Sequence, residues 1–282
     1  RKIYQMLSYK HGYHAGNQAD VLKHICLIQA YKSLKRYHNS ISYIDTHAGS
    51  GDYHFKSDYM LKNKEYENGI SKLENYKYEN QSIKFYLKVL RNINNSKKMT
   101  FYPGSPSIIS HLSDKSDKLI FYELHTNEVQ LLKKHLSKQF NSKVYNKDGF
   151  EFFLQNINPK ENTLVLIDPS DEIKNDFEKV VKTLEMLDEA YENVTAMIWY
   201  PVLNIENNDL FIENIRKLGS NRITRIELPL KKYNEEIGMK GSGIILFNGS
   251  NFLINNMKNC VKELFQIFKD ENCNIKPKIQ RI

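Results

Sequence analysis

The sequence predicts a Rossmann-like α/β fold, in which mostly parallel strands alternate with helices. Short apolar runs alternate with helical apolar patterns along most of the 282 residues. Several of these runs end at an acidic residue, as at Asp45, Glu123 and Asp168. Two β-rich runs, residues 222–228 and 243–247, are joined by a polar segment and favour a closing antiparallel pair.

The composition, 40% hydrophobic and 26% charged, predicts one globular domain over residues 1–282. The formal net charge of +8 favours a polyanionic partner, because contacts of Lys and Arg with phosphates release counterions. The alternative is a lysine-rich surface without a partner. Three widely spaced cysteines, Cys26, Cys260 and Cys273, predict free thiols in a reducing compartment. No apolar run approaches the about 18 residues of a membrane span, and the amino end lacks a signal-peptide core. We therefore expect a cytoplasmic protein without a membrane partner.

The amino-terminal segment 6–18 is polar, aromatic and basic, and it predicts a solvated or RNA-facing arm. An amphipathic helix over Ala19–Lys35 follows it, because apolar residues recur there at helical spacing. Tyr9, His11 and Lys23 are placed where base stacking and phosphate contact could occur. The alternative for each is an ordinary surface side chain.

Three histidines in this region, His11, His14 and His24, raise the question of a metal site. No fourth Cys, His or carboxylate stands at ligand spacing, so we expect no metal.

The stretch Ser42–Gly51 predicts the end of a buried strand followed by a tight turn under a ligand. Asp45 is a carboxylate at the strand end, and Gly49 and Gly51 would let the backbone approach a nucleotide closely. The alternative is an ordinary turn from strand to helix.

Residues 52–100 carry helical patterns but no convincing strand, and they predict an inserted helical subdomain. After it, Ser105 is expected to cap a short helix whose first residue is Pro106. A ligand contact of Ser105 is the alternative.

The alternation of strands and helices then resumes, with a predicted strand over residues 119–124 ending at Glu123. A third strand leads to Asp148 and Gly149. An acidic residue at the end of the second strand can accept both ribose hydroxyls, and one after the third can accept an adenine amino group. The continuous apolar run before Asp168 predicts a parallel strand buried on both faces.

The remaining elements are a helix over residues 175–191, a strand over 196–201 and a helix near 211–218. A final amphipathic helix over residues 253–268 precedes a basic tail.

Alternating strands and helices, acidic strand ends and a closing hairpin are typical of class I methyltransferases dependent on S-adenosylmethionine. The resemblance becomes specific in five motifs, which are the segment from Met6 to His24, Asp45-Thr-His-Ala-Gly49, Tyr102-Pro-Gly-Ser105, Asp148-Gly-Phe150 and Trp199-Tyr-Pro-Val202. From about Met6 to at least Gly243 the chain resembles the bacterial large-subunit ribosomal RNA adenine-N6 methyltransferases of the RlmJ family.

This resemblance implies S-adenosylmethionine as cofactor, S-adenosylhomocysteine as product and 23S ribosomal RNA as substrate; we expect a monomer. It implies catalysis by Asp168 and the Pro169 carbonyl, and RNA contacts at Tyr9 and, less directly, at His11 and Lys23. Together with the strand-end pattern, it predicts cofactor contacts at His24, Asp45, His47, Gly49, Ser105, Glu123, Asp148, Gly149 and Asp168.

The chain departs from the Asp-Pro-Pro-Tyr motif of such enzymes, because it reads Asp168-Pro169-Ser170-Asp171. The aromatic platform for the target base is missing from the motif, and Asp171 adds a negative charge beside the reaction centre. One hypothesis is that Tyr200 or another aromatic residue replaces the platform. The competing functional hypotheses are an RNA-binding protein that binds S-adenosylmethionine but is catalytically impaired, and methylation of another nucleic acid such as DNA.

Overall fold

The structure is a computed structural model that describes residues 11–169, 173–203, 205–232 and 238–282. The predictions for Tyr9, Ser170 and Asp171 lie outside the described residues.

Eight strands form one central sheet in the order β10-β8-β9-β7-β6-β1-β4-β5, and two short strands form a separate antiparallel pair, β2-β3. The strands are β1 (Ser42–Asp45), β2 (Asp52–His54), β3 (Phe101–Pro103), β4 (Lys118–Tyr122), β5 (Ser142–Tyr145), β6 (Thr163–Ile167), β7 (Val194–Val202), β8 (Ile223–Pro229), β9 (Gly241–Phe247) and β10 (Lys278–Arg281). The five strands from β7 to β5 are parallel, whereas β9 runs antiparallel to both β7 and β8. The Rossmann-like fold and its closing antiparallel pair are therefore confirmed.

Helices cover both faces of this sheet. The α-helices are α1 (Gln18–Lys35), α2 (Asp58–Asn63), α3 (Ile70–Glu74), α4 (Gln81–Asn94), α5 (Ser105–Leu112), α6 (Thr126–His135), α7 (Gly149–Phe152), α8 (Ile173–Ala190), α9 (Ile205–Arg216) and α10 (Asn251–Phe268). Short 3₁₀ helices cover His11–Tyr13, Glu65–Glu67 and Phe153–Asn156. Within the described ranges, no helix is long and apolar enough to cross a membrane.

Two hydrophobic cores lie on opposite faces of the sheet, because successive side chains of a strand point to opposite sides. In β6, Leu164 and Leu166 belong to the core formed with α1, α4, α5 and α10, whereas Val165 and Ile167 belong to the core formed with α8 and α9. All five residues of β6 are buried, which confirms the prediction of a strand covered on both faces.

Helix α1 is more deeply buried than the amphipathic helix that we expected. Its polar residues Asp20, Lys23, His24 and Gln29 are buried together with its apolar ones. Helices α4, α5 and α10 pack around α1 in addition to the sheet, so little of its surface meets water. The charged side chains of α1 must therefore find partners inside the protein.

Two local predictions are wrong. Residues 52–100 were expected to contain no strand, but they contain β2, which pairs antiparallel with β3 about fifty residues later and has no apolar pattern of its own. That these residues form an inserted helical subdomain stays a prediction. Ser105 is not the cap of α5, because Gly104 holds the cap position and Ser105 is the first helical residue. The basic tail, for which no element was expected, contains β10, paired with β8.

Candidate active site

Four acidic residues follow neighbouring parallel strands at one edge of the sheet. Asp45 ends β1, Asp168 follows β6, and Glu123 and Asp148 follow β4 and β5. Because these strands lie side by side in the order β6-β1-β4-β5, their carboxyl ends lie together where open α/β sheets form a ligand-binding crevice.

Glu123 is held by the backbone of the loops beside it. Its carboxylate accepts hydrogen bonds from the N–H of Gly49 at 2.9 Å and from the N–H of His125 at 2.7 Å. Burial raises the pKa of Glu123, although both N–H groups act in the opposite direction. Gly49 has a φ of +61°, and a Cβ there would lie 2.2 Å from the Tyr53 hydroxyl, so the turn requires glycine.

Asp45 is fully buried and joins β1 to α5. Its Oδ2 accepts hydrogen bonds from the hydroxyls of Tyr43 (2.9 Å) and Ser105 (2.6 Å), and its Oδ1 accepts one from the His47 N–H (3.2 Å). Burial raises the pKa of Asp45 to about 6 against the effect of these donors. The structure therefore shows Asp45 and Ser105 bonded to each other, and their predicted contacts with a cofactor stay predictions.

His47 and Asp148 bring the loops after β1 and β5 together. The His47 ring lies edge-on to Phe150, with 5.5 Å between ring centroids, and burial lowers its pKa to about 4. Asp148 Oδ1 caps α7 by accepting the N–H of Phe150 at 2.9 Å. A Cβ on Gly149 would lie 2.1 Å from the Thr46 carbonyl oxygen, so this close approach requires glycine.

His24 lies inside the protein, stacked on Tyr102. Its Nδ1 is 2.7 Å from the Tyr102 hydroxyl, which is in turn 3.0 Å from the Tyr86 hydroxyl. Burial lowers the pKa of His24 to about 3, so the ring is neutral at physiological pH. Its contact with a cofactor remains a prediction.

Asp168 is held by a buried cation. The Lys23 ammonium lies 2.5 Å from Asp168 Oδ2 and 2.7 Å from Asp20 Oδ1, and the Lys23 side chain is 5% exposed. Burial alone lowers the pKa of Lys23, but the charges of Asp168 and Asp20 outweigh it and raise the pKa above its usual value. The described contacts of Lys23 thus form an internal ion pair, and its contact with RNA remains a prediction.

Asp20 extends this network to the amino-terminal arm. Its Oδ2 accepts the Gly16 N–H at 2.9 Å and lies 3.0 Å from His11 Nε2. Burial raises the pKa of Asp20, but His11 and Lys23 outweigh burial and hold it well below its usual value. The sequence did not single out Asp20, because an acidic residue in the first turn of a helix is common.

A cleft of about 330 Å³ opens beside Asp168 and Lys23. It is lined by residues of the arm from His11 onward, by the start of α1, and by Trp199, Pro201 and Leu203. Trp199 is a second residue that the sequence did not single out as part of the site.

Tyr200 does not replace the missing platform. It is 1% exposed, packs edge-on against Phe211 in the core beneath α9, and its hydroxyl accepts a hydrogen bond from Arg225 Nε at 3.2 Å. The hypothesis that Tyr200 stacks on the target base is therefore wrong.

The three histidines near the amino end have separate partners. His11 contacts Asp20, His14 contacts Glu65, and His24 contacts Tyr102. In the described part of the chain, no three His, Cys, Asp or Glu side chains are grouped so that they could hold a metal ion.

Comparisons with known proteins identify the family of this chain. A family model described as "Ribosomal RNA large subunit methyltransferase D, RlmJ" matches residues 38–276. Ribosomal RNA large subunit methyltransferase J of Haemophilus influenzae is 35% identical over 245 residues, which cover 86% of this chain and 87% of the relative. The protein of the same name from Escherichia coli K12 is 33% identical over 244 residues, with the same coverage of both chains.

A solved structure supports the same relationship. The crystal structure of a Legionella pneumophila protein superposes with a TM-score of 0.82 at 30% identity, over 95% of this chain and 98% of that one. The family model and both sequence relatives span most of the chain. The chain therefore belongs to the RlmJ family of ribosomal RNA large subunit methyltransferases.

Proposed function

We propose that this protein transfers a methyl group from S-adenosylmethionine to the N6 amine of an adenine in 23S ribosomal RNA. The observation that carries the proposal is the position of Asp168. Asp168 lines a cleft and lies at the same end of the sheet as Glu123 and Asp148. The names of the relatives support large-subunit ribosomal RNA as the substrate.

The side chains at the ends of β4 and β5 fit the nucleoside part of this cofactor. Each oxygen of Glu123 takes one backbone N–H, so the carboxylate keeps lone pairs for two ribose hydroxyls. Both backbone N–H groups bonded to Asp148 use Oδ1, and among the described residues Oδ2 accepts no hydrogen bond. Oδ2 is therefore suited to accept the amino group of an adenine ring.

The residues beside the cleft suit an amine substrate. The lone pair of an adenine N6 amine is delocalised into the ring, which makes the amine a poor nucleophile. The Asp168 carboxylate and the Pro169 carbonyl would accept its two hydrogens and localise the lone pair on nitrogen. Lys23 holds Oδ2 of Asp168 in place beside the cleft. The bound cofactor supplies an electrophilic methyl group on sulfur, and holding both reactants in line lowers the barrier.

The test is methyl transfer from labelled S-adenosylmethionine to large-subunit ribosomal RNA that lacks the modification. We expect N6-methyladenosine after nuclease digestion with the wild-type protein. We expect a rate about 10²- to 10⁴-fold lower with Asp168→Asn, because its amide is a weaker acceptor in place of the carboxylate. Glu213→Gln makes the same chemical change on the exposed side of α9 and is expected to label as the wild type does.

Two outcomes would contradict the proposal. One is a wild-type protein that labels no RNA, and the other is equal labelling by wild type and a folded Asp168→Asn variant. Labelling of DNA in preference to RNA in a parallel reaction would favour the alternative substrate.

A further inference from the structure

The strand β7 presents a different set of side chains to the cleft than to the core behind it. Every second residue from Trp199 onward, namely Trp199, Pro201 and Leu203, lines the cleft. Tyr200 points to the opposite face, where it packs against Phe211. This alternation follows from the period of two residues in a strand.

The register of the sheet places Trp199 beside Asp168. Ile167 of β6 pairs with Ile198 of the parallel strand β7. The residues that follow them along the chain, Asp168 and Trp199, are therefore at matching positions, on the face of the sheet opposite to Ile167 and Ile198. That face is the one covered by α1, which supplies Lys23. The indole and the carboxylate that would bind the target amine therefore lie on the same face of the sheet and line the same cleft.

The orientation of the Trp199 indole is fixed by a hydrogen bond and by packing against the core. Trp199 Nε1 donates a hydrogen bond to Ser242 Oγ at 2.8 Å, and the half-buried ring packs against the core on the α1 side. Because this bond uses its one donor, the indole offers the cleft only hydrocarbon and π-surface.

A base that is methylated on an exocyclic amine must leave its stack and be held between apolar or aromatic side chains. The motif that begins at Asp168 contains no aromatic residue at the usual place. We propose that Trp199 is the platform on which the target adenine stacks while Asp168 binds its amino group. This inference rests on the proposed function and names the residue that would hold the substrate base.

Intrinsic fluorescence gives a direct test, because Trp199 is the only tryptophan of the chain. Adenosine monophosphate is titrated into the full-length protein in the presence of S-adenosylhomocysteine. We expect saturable quenching of the emission by adenosine monophosphate and no change with ribose 5-phosphate, which lacks the base. An emission that adenosine monophosphate leaves unchanged would overturn the inference.

Kinetics of two variants give the second readout. Loss of one base–aromatic stack weakens binding by about 10- to 100-fold, so Trp199→Leu is expected to raise the KM for RNA by that factor with little change in kcat. Trp199→Phe keeps a ring but loses the bond to Ser242, and we expect it to retain most of the affinity. Calorimetry with S-adenosylhomocysteine should give wild-type affinity for both variants if their cofactor site is intact.

The outcomes separate the platform from the proposed function. A Trp199→Leu variant with the KM of the wild type would refute the platform and leave the methyltransferase function standing. Equal losses in both variants would indicate that the bond to Ser242 matters rather than stacking, and would also refute it. If the wild type methylated no nucleic acid, the proposed function would fail, and the fluorescence titration would still decide whether Trp199 binds an adenine.

Discussion

The two halves of the crevice hold their carboxylates by different means. Glu123 and Asp148, at the ends of β4 and β5, accept hydrogen bonds from backbone N–H groups of adjacent loops. Asp168, at the end of β6, is instead bound by the ammonium of Lys23, which lies 145 residues earlier in the chain. The first half is built from neutral backbone donors, and the second from a pair of charges in which the lysine is buried.

This difference determines how much stability a substitution in each half is expected to cost. A neutral hydrogen bond contributes about 1 kcal/mol, and its loss is felt at one loop. Removing one member of a buried ion pair leaves an uncompensated charge, which costs about 3–5 kcal/mol. Lys23 also contacts Asp20, which holds the arm through Gly16. The half near Asp168 is therefore coupled to the amino-terminal arm, whereas the other half is not coupled in this way.

The largest effect is expected from Lys23→Met, which removes the cation from the half of the crevice around Asp168. It leaves the buried Asp20 and the half-buried Asp168 without their shared cation, so the free energy of unfolding should fall by about 3–5 kcal/mol. Urea unfolding at pH 7 measures this change. The matched control is Lys118→Met, which removes an ion pair with Glu161 at an exposed site and should cost about 1 kcal/mol or less.

If Lys23→Met prevents folding, the double variant Lys23→Met/Asp20→Asn keeps the prediction testable. It removes one of the two carboxylates that Lys23→Met leaves without a cation, and it should recover part of the lost stability. Equal and small losses for Lys23→Met and Lys118→Met would show that the buried pair is not what distinguishes the two halves.

The next effect concerns Asp45, a buried carboxylate with no cation beside it. Its pKa is about 6 in the folded protein and about 4 in the unfolded chain, so the folded state binds the proton more tightly. The stability that this proton contributes is fully present below pH 4 and is lost as the pH rises through 6. The loss amounts to about 2–3 kcal/mol by pH 7.

Asp45→Asn isolates this contribution, because its amide resembles the protonated acid and does not titrate. Unfolding curves of wild type and variant should give similar stabilities at pH 4. The variant should become the more stable protein as the pH approaches 7. A difference between the two proteins that stays constant over this range would contradict the raised pKa.

Glu123→Gln tests whether the neutral half binds the cofactor. The glutamine amide cannot accept hydrogen bonds on both sides, so it loses either the Gly49 or the His125 N–H and one of the proposed ribose contacts. We expect about 10- to 100-fold weaker binding of S-adenosylhomocysteine by calorimetry, as for the loss of a bond to a charged group. The control Glu213→Gln, at an exposed position on α9, should leave the affinity unchanged.

The same contrast explains which parts of the molecule the sequence revealed. The fold class, the strand ends and the closing β8-β9 pair were predictable, because strand periodicity and acidic strand ends are local patterns. The strand β2 was missed because it pairs with a strand that the chain reaches only after the intervening helices. Ser105 looked like a helix cap from its neighbours, but its hydroxyl is bound by Asp45 on a different element.

The charged half was the harder part to predict. Lys23 was expected on the RNA side, since nothing local shows that helices α4, α5 and α10 surround α1 and bury this lysine. Asp20 and Trp199 become members of the site only through the packing of α1 and the register of β7 on β6. Long-range packing, which single-sequence patterns do not encode, therefore determines this half.

The smallest effect is expected from Ser105→Ala, which removes one of the two hydroxyl donors to Asp45 Oδ2. The expected cost is about 1 kcal/mol at pH 7, where Asp45 is ionised. It should shrink at pH 4, because the protonated carboxyl needs this donor less. Ser110→Ala, on the same helix, is the matched control, since the buried Ser110 hydroxyl has no hydrogen-bond partner among the described residues and its loss should cost nothing. Equal costs for both serines, or a cost at Ser105 that does not change with pH, would show that the Ser105 hydroxyl does not stabilise the ionised Asp45 carboxylate.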